Sequence, residues 1–382
     1  MKVYTMTWYY GNNYGSILQA YALPRAISQL GYPCEILAYT PTIFQKIKNM
    51  LVNRSLVTHL KYKINAWKLK SKKGADKGAD LDYACFDAFR AAYMPLTAPA
   101  HTTKAIRHIT GEDSVFVCGS DQIWNPQYYN PYYFLHFVKD STRKIPYAPS
   151  FGVKEIPAYQ KKRIKKSLSA FHACSVREQR GAEMIQELTG REAFVACDPT
   201  VLLNKEEWLE IATPIQKPEK PYIFCYFLSY NEQYMATARR AAEVLGMELK
   251  MLPMMAKDYD REETIKDPVG PTEWISWLNG ASYVLTDSFH CSLFSIAFGK
   301  DFYIFQRFAS GNKRGENTRI ENLLANTDLT DRMIAWEEAR TTFPTIPQER
   351  REKAEGALRA HAQTSRAWLK DALALAKTRV ED

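Results

Sequence analysis

An α/β chain of two domains, each on a mostly parallel sheet, is expected from three observations. Short apolar runs recur, and each is followed by a polar loop and then by apolar residues at helical spacing. One proline- and charge-rich segment, Thr213–Pro221 (TPIQKPEKP), interrupts this pattern. The 382 residues, 46% of them hydrophobic, suffice for two cores of ordinary size. The expected Rossmann-like domains are 1–212 and 213–382. Their sheet edges would face a central cleft, the usual place for a ligand.

In the first half, Lys2–Tyr9 reads as a buried strand and Ile17–Leu30 as a helix that Pro24 should kink or shorten. Pro33–Tyr39 is the next strand. The intervening turn, Gly11-Asn12-Asn13-Tyr14-Gly15-Ser16, is neither GxGxxG nor a GxxxxGK[ST] phosphate loop. Its small residues let the backbone approach a ligand; the plainer reading is a tight turn. Leu81–Tyr93 has helical spacing. Strands are expected at Ser114–Cys118, Lys144–Ala148, Ala173–Val176 and Phe194–Cys197, and helices at Glu155–Ala170 and Gln179–Leu188. The polar strand ends place Asn13, Asp121, Ser150 and Arg177 along one edge.

After the linker, strands are expected at Tyr222–Leu228 and Glu248–Leu252, and helices at Glu232–Leu245 and Pro271–Asn279. The most informative stretch follows. Tyr283–Leu285 is a short apolar run ending in Thr286-Asp287; Ser288, Phe289 and His290 lead a second run to Phe298, and Phe302–Phe305 forms a third. This reads as strand, turn, short helix and strand, with Ser288 as N-cap and Gly299 as the helix stop. A helix starting at the carboxyl edge of a parallel sheet aims free N–H groups at the crevice and attracts anions. His290 in its first turn could hold an anion or move a proton; equally, it could only cap or pack. Gln306–Arg319 is polar and basic. Ile320–Leu324 begins another helix, and Gln348–Lys377 is helical throughout.

The seven cysteines are odd in number and without a CxxC pair, which fits buried free thiols. No run nears the ~20 residues of a membrane span, and no signal peptide is visible, so a cytoplasmic protein is expected. The net charge is +9, and nine Lys or Arg with no acid lie between Thr42 and Lys73. The excess thus belongs to one segment, which argues against a general nucleic-acid surface. That segment mixes apolar residues among its cations. A solvated helical excursion explains it, and so does a face resting on an anionic membrane.

Seven stretches follow one another in the order of a known family: GNNYGSILQAYAL, FVCGSDQIWNP, IPYAPSFG, SVREQRG, CDPTVLL, LTDSFHCSLFSIAFGKDFYIF and NTRIENLL. With them the chain resembles the polysaccharide pyruvyl transferases. The resemblance implies a two-domain architecture similar to GT-B glycosyltransferases. It implies transfer of the enolpyruvyl group of phosphoenolpyruvate to two hydroxyls of one sugar, giving a cyclic ketal. The acceptor would be a cell-surface polysaccharide or its lipid-linked precursor, and no metal or organic cofactor is expected.

By the same resemblance His290 and Arg177 belong to donor binding. Phosphoenolpyruvate calls for cations and a helix N-terminus, and ketal formation calls for an acid and a base. The expected roles are phosphate binding and proton donation for His290, an anion contact for Arg177, and proton acceptance for Asp287 or Asp121. Ser288, Phe289, Asn13, Gly15 and Ser120 would line the substrate, and Arg307, Lys313 and Arg319 would supply further cations. Two departures stand out. Ser288-Phe289-His290-Cys291 replaces the family's Arg-Leu-His-Gly, and Arg307 and Lys313 flank the spacing of a family lysine. A lipid-linked acceptor would give residues 42–73, within an insertion of about 42–110, a reason to touch the inner face of a membrane. Two other readings compete. One is a nucleotide-sugar glycosyltransferase, for which Asp258-Tyr259-Asp260 has the DxD spacing; the other is a carbohydrate-binding relative without chemistry.

Overall fold

The computed structural model of the chain describes residues 1–54, 84–111, 113–229, 231–255, 258–307, 317–336 and 338–381. Most of the basic segment after Arg54 and Lys313 lie outside the described residues.

In the first domain, β1 (Lys2–Met6), β2 (Cys34–Ile36), β3 (Ser114–Cys118) and β4 (Lys144–Pro146) form a parallel sheet in the order β2-β1-β3-β4. A parallel pair, β5 (Ser175–Val176) and β6 (Phe194–Val195), continues beyond β4. Side-chain bonding links the two: the Ser175 hydroxyl donates to Pro146 O at 2.6 Å and accepts from Ala148 N at 3.0 Å. β3 has the bounds expected of it, and the other five strands are shorter than their apolar runs suggested. The residues beyond Met6, Cys118 and Pro146 turn away into the polar edge, where Asp121 and Ala148 take positive φ.

The helices of this domain are α1 (Tyr14–Gln29), α2 (Ile43–Val52), α3 (Ala84–Tyr93), α4 (Thr103–Thr110), α5 (Ala158–Leu168), α6 (Gln179–Thr189) and α7 (Lys205–Leu209). α1 runs through Pro24 instead of stopping there, because its apolar residues on both sides of Pro24 are buried. Among its described residues, the expected excursion over 42–110 is helical only in part. From Pro95 to Ala100 the chain runs beside the end of β2: Ile36 N donates to Pro95 O and Ala100 N to Ala38 O.

The second domain holds a parallel sheet in the order β11-β10-β9-β7-β8. Its strands are β7 (Tyr222–Tyr226), β8 (Glu248–Met251), β9 (Tyr283–Thr286), β10 (Asp301–Phe305) and β11 (Met333–Ile334). With them run α8 (Glu232–Leu245), α9 (Pro271–Gly280), α10 (Phe289–Ala297), α11 (Asn317–Asn326) and α12 (Gln348–Glu381). α10 begins and ends as its sequence predicts. The Ser288 hydroxyl accepts from Cys291 N at 3.4 Å, and Gly299 takes φ +66 after the last turn. No helix among the described residues is long and apolar enough to cross a membrane.

The two domains share a core. Tyr14, Ile17, Leu18 and Tyr21 of α1 lie in one cluster with Trp274 and Ile275 of α9 and Phe294 of α10. Tyr14 stacks on Trp274 at 5.9 Å, and its hydroxyl donates to Val269 O at 2.6 Å. α3 joins them with Phe86 and Phe89. α12 crosses between the domains: Ala354 and Leu358 lie in the shared cluster, whereas Leu369, Leu373 and Ala376 pack with Val3, Ile27 and Val115. Replacing Leu373, which is fully buried, by Ala should cost about 2–5 kcal/mol, read as an earlier unfolding midpoint in urea. A loss well under 1 kcal/mol would show that α12 does not complete the first core.

Candidate functional site

Strand order reverses at one place in each sheet, between β1 and β3 and between β7 and β9. Ligands of open parallel sheets bind outside the carboxyl ends of the strands at such points. Here the two points face each other. From the first come the N-terminus of α1 and the Gly119–Gln122 loop; from the second comes the N-terminus of α10.

His290, in the first turn of α10, joins the two. Its ring lies on the backbone of Gly15 in the first turn of α1: a Cβ at Gly15 would come 2.2 Å from His290 Nδ1. Only glycine allows that approach. On its other side, His290 Nε2 lies 3.3 Å from Asp198 Oδ2, at the end of β6. The same oxygen accepts from Arg177 Nη1 at 2.5 Å, while Asp198 Oδ1 accepts from Thr200 N and Oγ1. Arg177 Nη2 is 3.6 Å from Asp121 Oδ1, and Nε is 4.0 Å from Glu178 Oε2.

These side chains are buried and interdependent. Burial opposes the ionisation of Asp198, but His290 and Arg177 outweigh it and hold the carboxyl well below the usual carboxylate range. Asp121 is likewise held low, against burial, by Arg177, His290 and the Ser16 hydroxyl, which donates to Oδ2 at 2.6 Å. Glu178 Oε1 gathers Ser150 Oγ, Phe151 N and Gly152 N. Some polar atoms remain without a hydrogen-bond partner among the described residues: Arg177 Nε and Nη2, Glu178 Oε2 and His290 Nε2. Such buried atoms cluster where a ligand is received.

A cavity of ≈ 550 Å³ opens beside this cluster, lined among others by Arg177, Asp198, Phe289, Arg319, Asn322 and His361. Two guanidiniums approach the Phe289 ring, that of Arg177 at 5.0 Å and that of Arg319 at 5.7 Å. His361 reaches the cavity from α12, a position that strand-end reasoning had no means to find.

The predicted residues divide into groups. His290, Arg177, Asp121, Gly15, Phe289 and Arg319 converge. Asn13 and Ser288 cap α1 and α10, with Asn13 accepting from Ser16 N. Ser120 is spent inside the first domain, donating to Ala148 O. Asp287 forms a separate pair with Arg307 at 3.6 Å. It accepts from Leu228 N at 2.6 Å and from Ser229 N and Oγ, and burial pushes its carboxyl up despite these partners. Asp198 and Glu178 went unassigned by sequence reasoning, although each sits in a strand-end motif, one beside Arg177.

Asp258 is engaged by Met254 N and Met255 N, away from the cavity, so the DxD triplet builds a loop. Among the described residues no three His, Cys, Asp or Glu side chains are grouped to hold a metal ion.

Solved structures with a similar course of chain include UDP-GlcNAc 2-epimerase from Neisseria meningitidis bound to UDP-GlcNAc, at 8% identity over 98% of this chain and 99% of that one, with a TM-score of 0.47. UDP-GlcNAc 2-epimerase from Methanocaldococcus jannaschii matches at 10% identity over 93% and 91%, with a TM-score of 0.46. No curated protein matches the chain. The model of the polysaccharide pyruvyl transferases matches residues 13–307, which span both faces of the His290 cluster, and the chain belongs to that family.

Proposed function

We propose that the protein transfers the enolpyruvyl group of phosphoenolpyruvate to two hydroxyls of one sugar, in a cell-surface polysaccharide or its lipid-linked precursor. The products are a cyclic pyruvate ketal and phosphate. One observation carries the reading: His290, at a helix N-terminus, meets Asp198 and Gly15 of the opposite domain, and Asp198, Arg177 and Arg319 line the adjoining cavity.

The donor brings a phosphate and a carboxylate close together. Arg319, the N–H groups of Arg177 that are not bonded to Asp198 and the first turn of α10 supply the charge complement. Protonated His290 gives its proton to the vinyl carbon of the donor, and the first sugar hydroxyl adds to the neighbouring carbon. Neutral His290 takes that hydroxyl's proton. The carbon–oxygen bond to phosphate then breaks, and the second hydroxyl closes the ketal while its proton leaves with phosphate. One imidazole thus serves as acid and then as base. Asp198 is the positioning residue for both His290 and Arg177. Asp121 orients Arg177 from the other side, and Asp287 fixes the loop beneath α10.

His290→Ala should abolish phosphate release from phosphoenolpyruvate in the presence of acceptor. Near-normal turnover would remove His290 from the mechanism. Gly15→Ala drives a methyl into the imidazole, and a displacement of about 1 Å costs on the order of 10²-fold in kcat; unchanged kcat would mean that the ring is free to move. Asp198→Asn keeps the shape but loses the charge shared by His290 and Arg177. It should lower kcat by on the order of 10²-fold with donor KM changed less; a pure KM effect would mark Asp198 as a binding residue only. Thermal shifts with phosphoenolpyruvate against nucleotide sugars test the donor itself.

A further inference from the structure

We propose that α2, with the exposed face of α5, is a docking surface for an anionic phospholipid bilayer. α2 is mounted with its apolar side outward. At about 100° per residue, Ile43, Phe44, Ile47 and Leu51 fall within an arc of about 100°. That arc points outward: Ile43 and Phe44 are 77% exposed, Leu51 59% and Ile47 45%. The opposite side is the one that holds the protein. Val52 packs against the first-domain core, and Gln45 donates to His101 O at 2.9 Å and to the Tyr132 hydroxyl at 3.3 Å. A surface helix of a globular protein ordinarily turns its apolar stripe inward. This one is fastened by its polar side and shows its apolar stripe.

Charge accompanies the stripe. Lys46 and Lys48 are exposed, one beyond each edge of the apolar arc. Asn53, just after α2, is buried against α5: its side-chain carbonyl accepts from Gln160 Nε2 at 3.0 Å, and its backbone carbonyl from the Tyr159 hydroxyl at 3.1 Å. Arg54 lies over the Tyr159 ring at 4.5 Å. This joint sets α2 beside α5, whose Lys161, Lys162, Arg163, Lys165 and Lys166 are all exposed. Residues 43–54 and 158–168 together carry eight Lys or Arg and no acid. Acidic neighbours stand at the α5–α6 border, where Glu183 and Glu187 are paired with Arg180.

An apolar stripe flanked by lysines and continued by a basic helix matches the chemistry of an anionic bilayer surface. Phe and Ile enter the headgroup boundary while the cations meet lipid phosphates. α2 follows β2 and α5 follows β4, so both start from the carboxyl edge of the first sheet. The cleft opens at that same edge. A protein resting on this surface would hold its cavity close to a lipid-linked saccharide, although the docking argument does not depend on that substrate.

The test is flotation of the full chain with vesicles of phosphatidylcholine alone and of phosphatidylcholine mixed with phosphatidylglycerol, at low and high salt. The chain should float with the mixed vesicles, less so at high salt. Lys161→Gln and Lys165→Gln should each weaken partitioning about fivefold. Phe44→Ser with Ile47→Ser should remove what survives at high salt. Circular dichroism confirms that the variants fold, and activity on a soluble acceptor should stay unchanged. Absence of flotation, or flotation that neither set of variants alters, overturns the proposal. A dimer in solution that Phe44→Ser disperses also overturns it, because a second copy would then cover the stripe.

Discussion

The contact of the His290 ring with the bare backbone of Gly15 is the constraint on which the site depends. Each residue opens a helix, and each helix leaves the carboxyl edge of a different sheet. For the two to touch, both edges must face each other at the point where strand order reverses. No side chain can stand between them, which is why a glycine follows the strand-end turn at Tyr14. The same approach brings two helix N-termini to one place, so their partial positive charges add there.

What holds this distance is apolar. Tyr14 sits one residue from Gly15 and is locked between Trp274, Phe86 and Tyr226, with ring centroids 4.9–5.9 Å away. Aromatic pairs of this kind contribute about 0.5–1.5 kcal/mol each beyond area burial. The shared cluster continues down α1 to Tyr21 and Trp208, and α12 adds a second tie across both cores. Domain interfaces move freely when they are small and polar. This one is neither, so the position of His290 over Gly15 is built into the folded core and does not wait for a ligand.

The local pattern of the sequence carries much of this. Ser288, the short apolar run and Gly299 define α10 within one residue, because capping and termination are chemistry of the nearest neighbours. Arg177 and Asp121 are legible as polar residues at strand ends. Contacts across the domains are not. Asp198 looks like one more strand-end aspartate, and only the fold brings its Oδ2 to both Arg177 and His290. Asp287 looks equally available beside His290, yet the backbone of Leu228 and Ser229 claims it. Strands stop short of their apolar runs for a related reason: apolar residues past Met6 and Pro146 are buried by turning into the edge, not by extending the ladder. The exposed stripe of α2 shows the limit most plainly, since its periodicity gives the apolar arc but not the side on which the protein holds it.

The charge balance bears on how an anion is held and then released. Arg177 faces three carboxylates, Asp121, Asp198 and Glu178, and one of its N–H groups is committed to Asp198 at 2.5 Å. Breaking a buried pair of this kind by removing one partner costs about 3–5 kcal/mol, so the guanidinium is first a structural ion. Its remaining N–H groups still face the cluster, and the Phe289 ring holds Arg177 and Arg319 together. An incoming phosphate or carboxylate therefore meets cations whose charge is already partly matched. The helix ends add attraction without adding a full charge. A site of bare cations would bind phosphate tightly both before and after the bond breaks. In the proposed transfer the carboxylates would reclaim the guanidinium as phosphate departs, so the anion site would empty while the second hydroxyl closes the ketal.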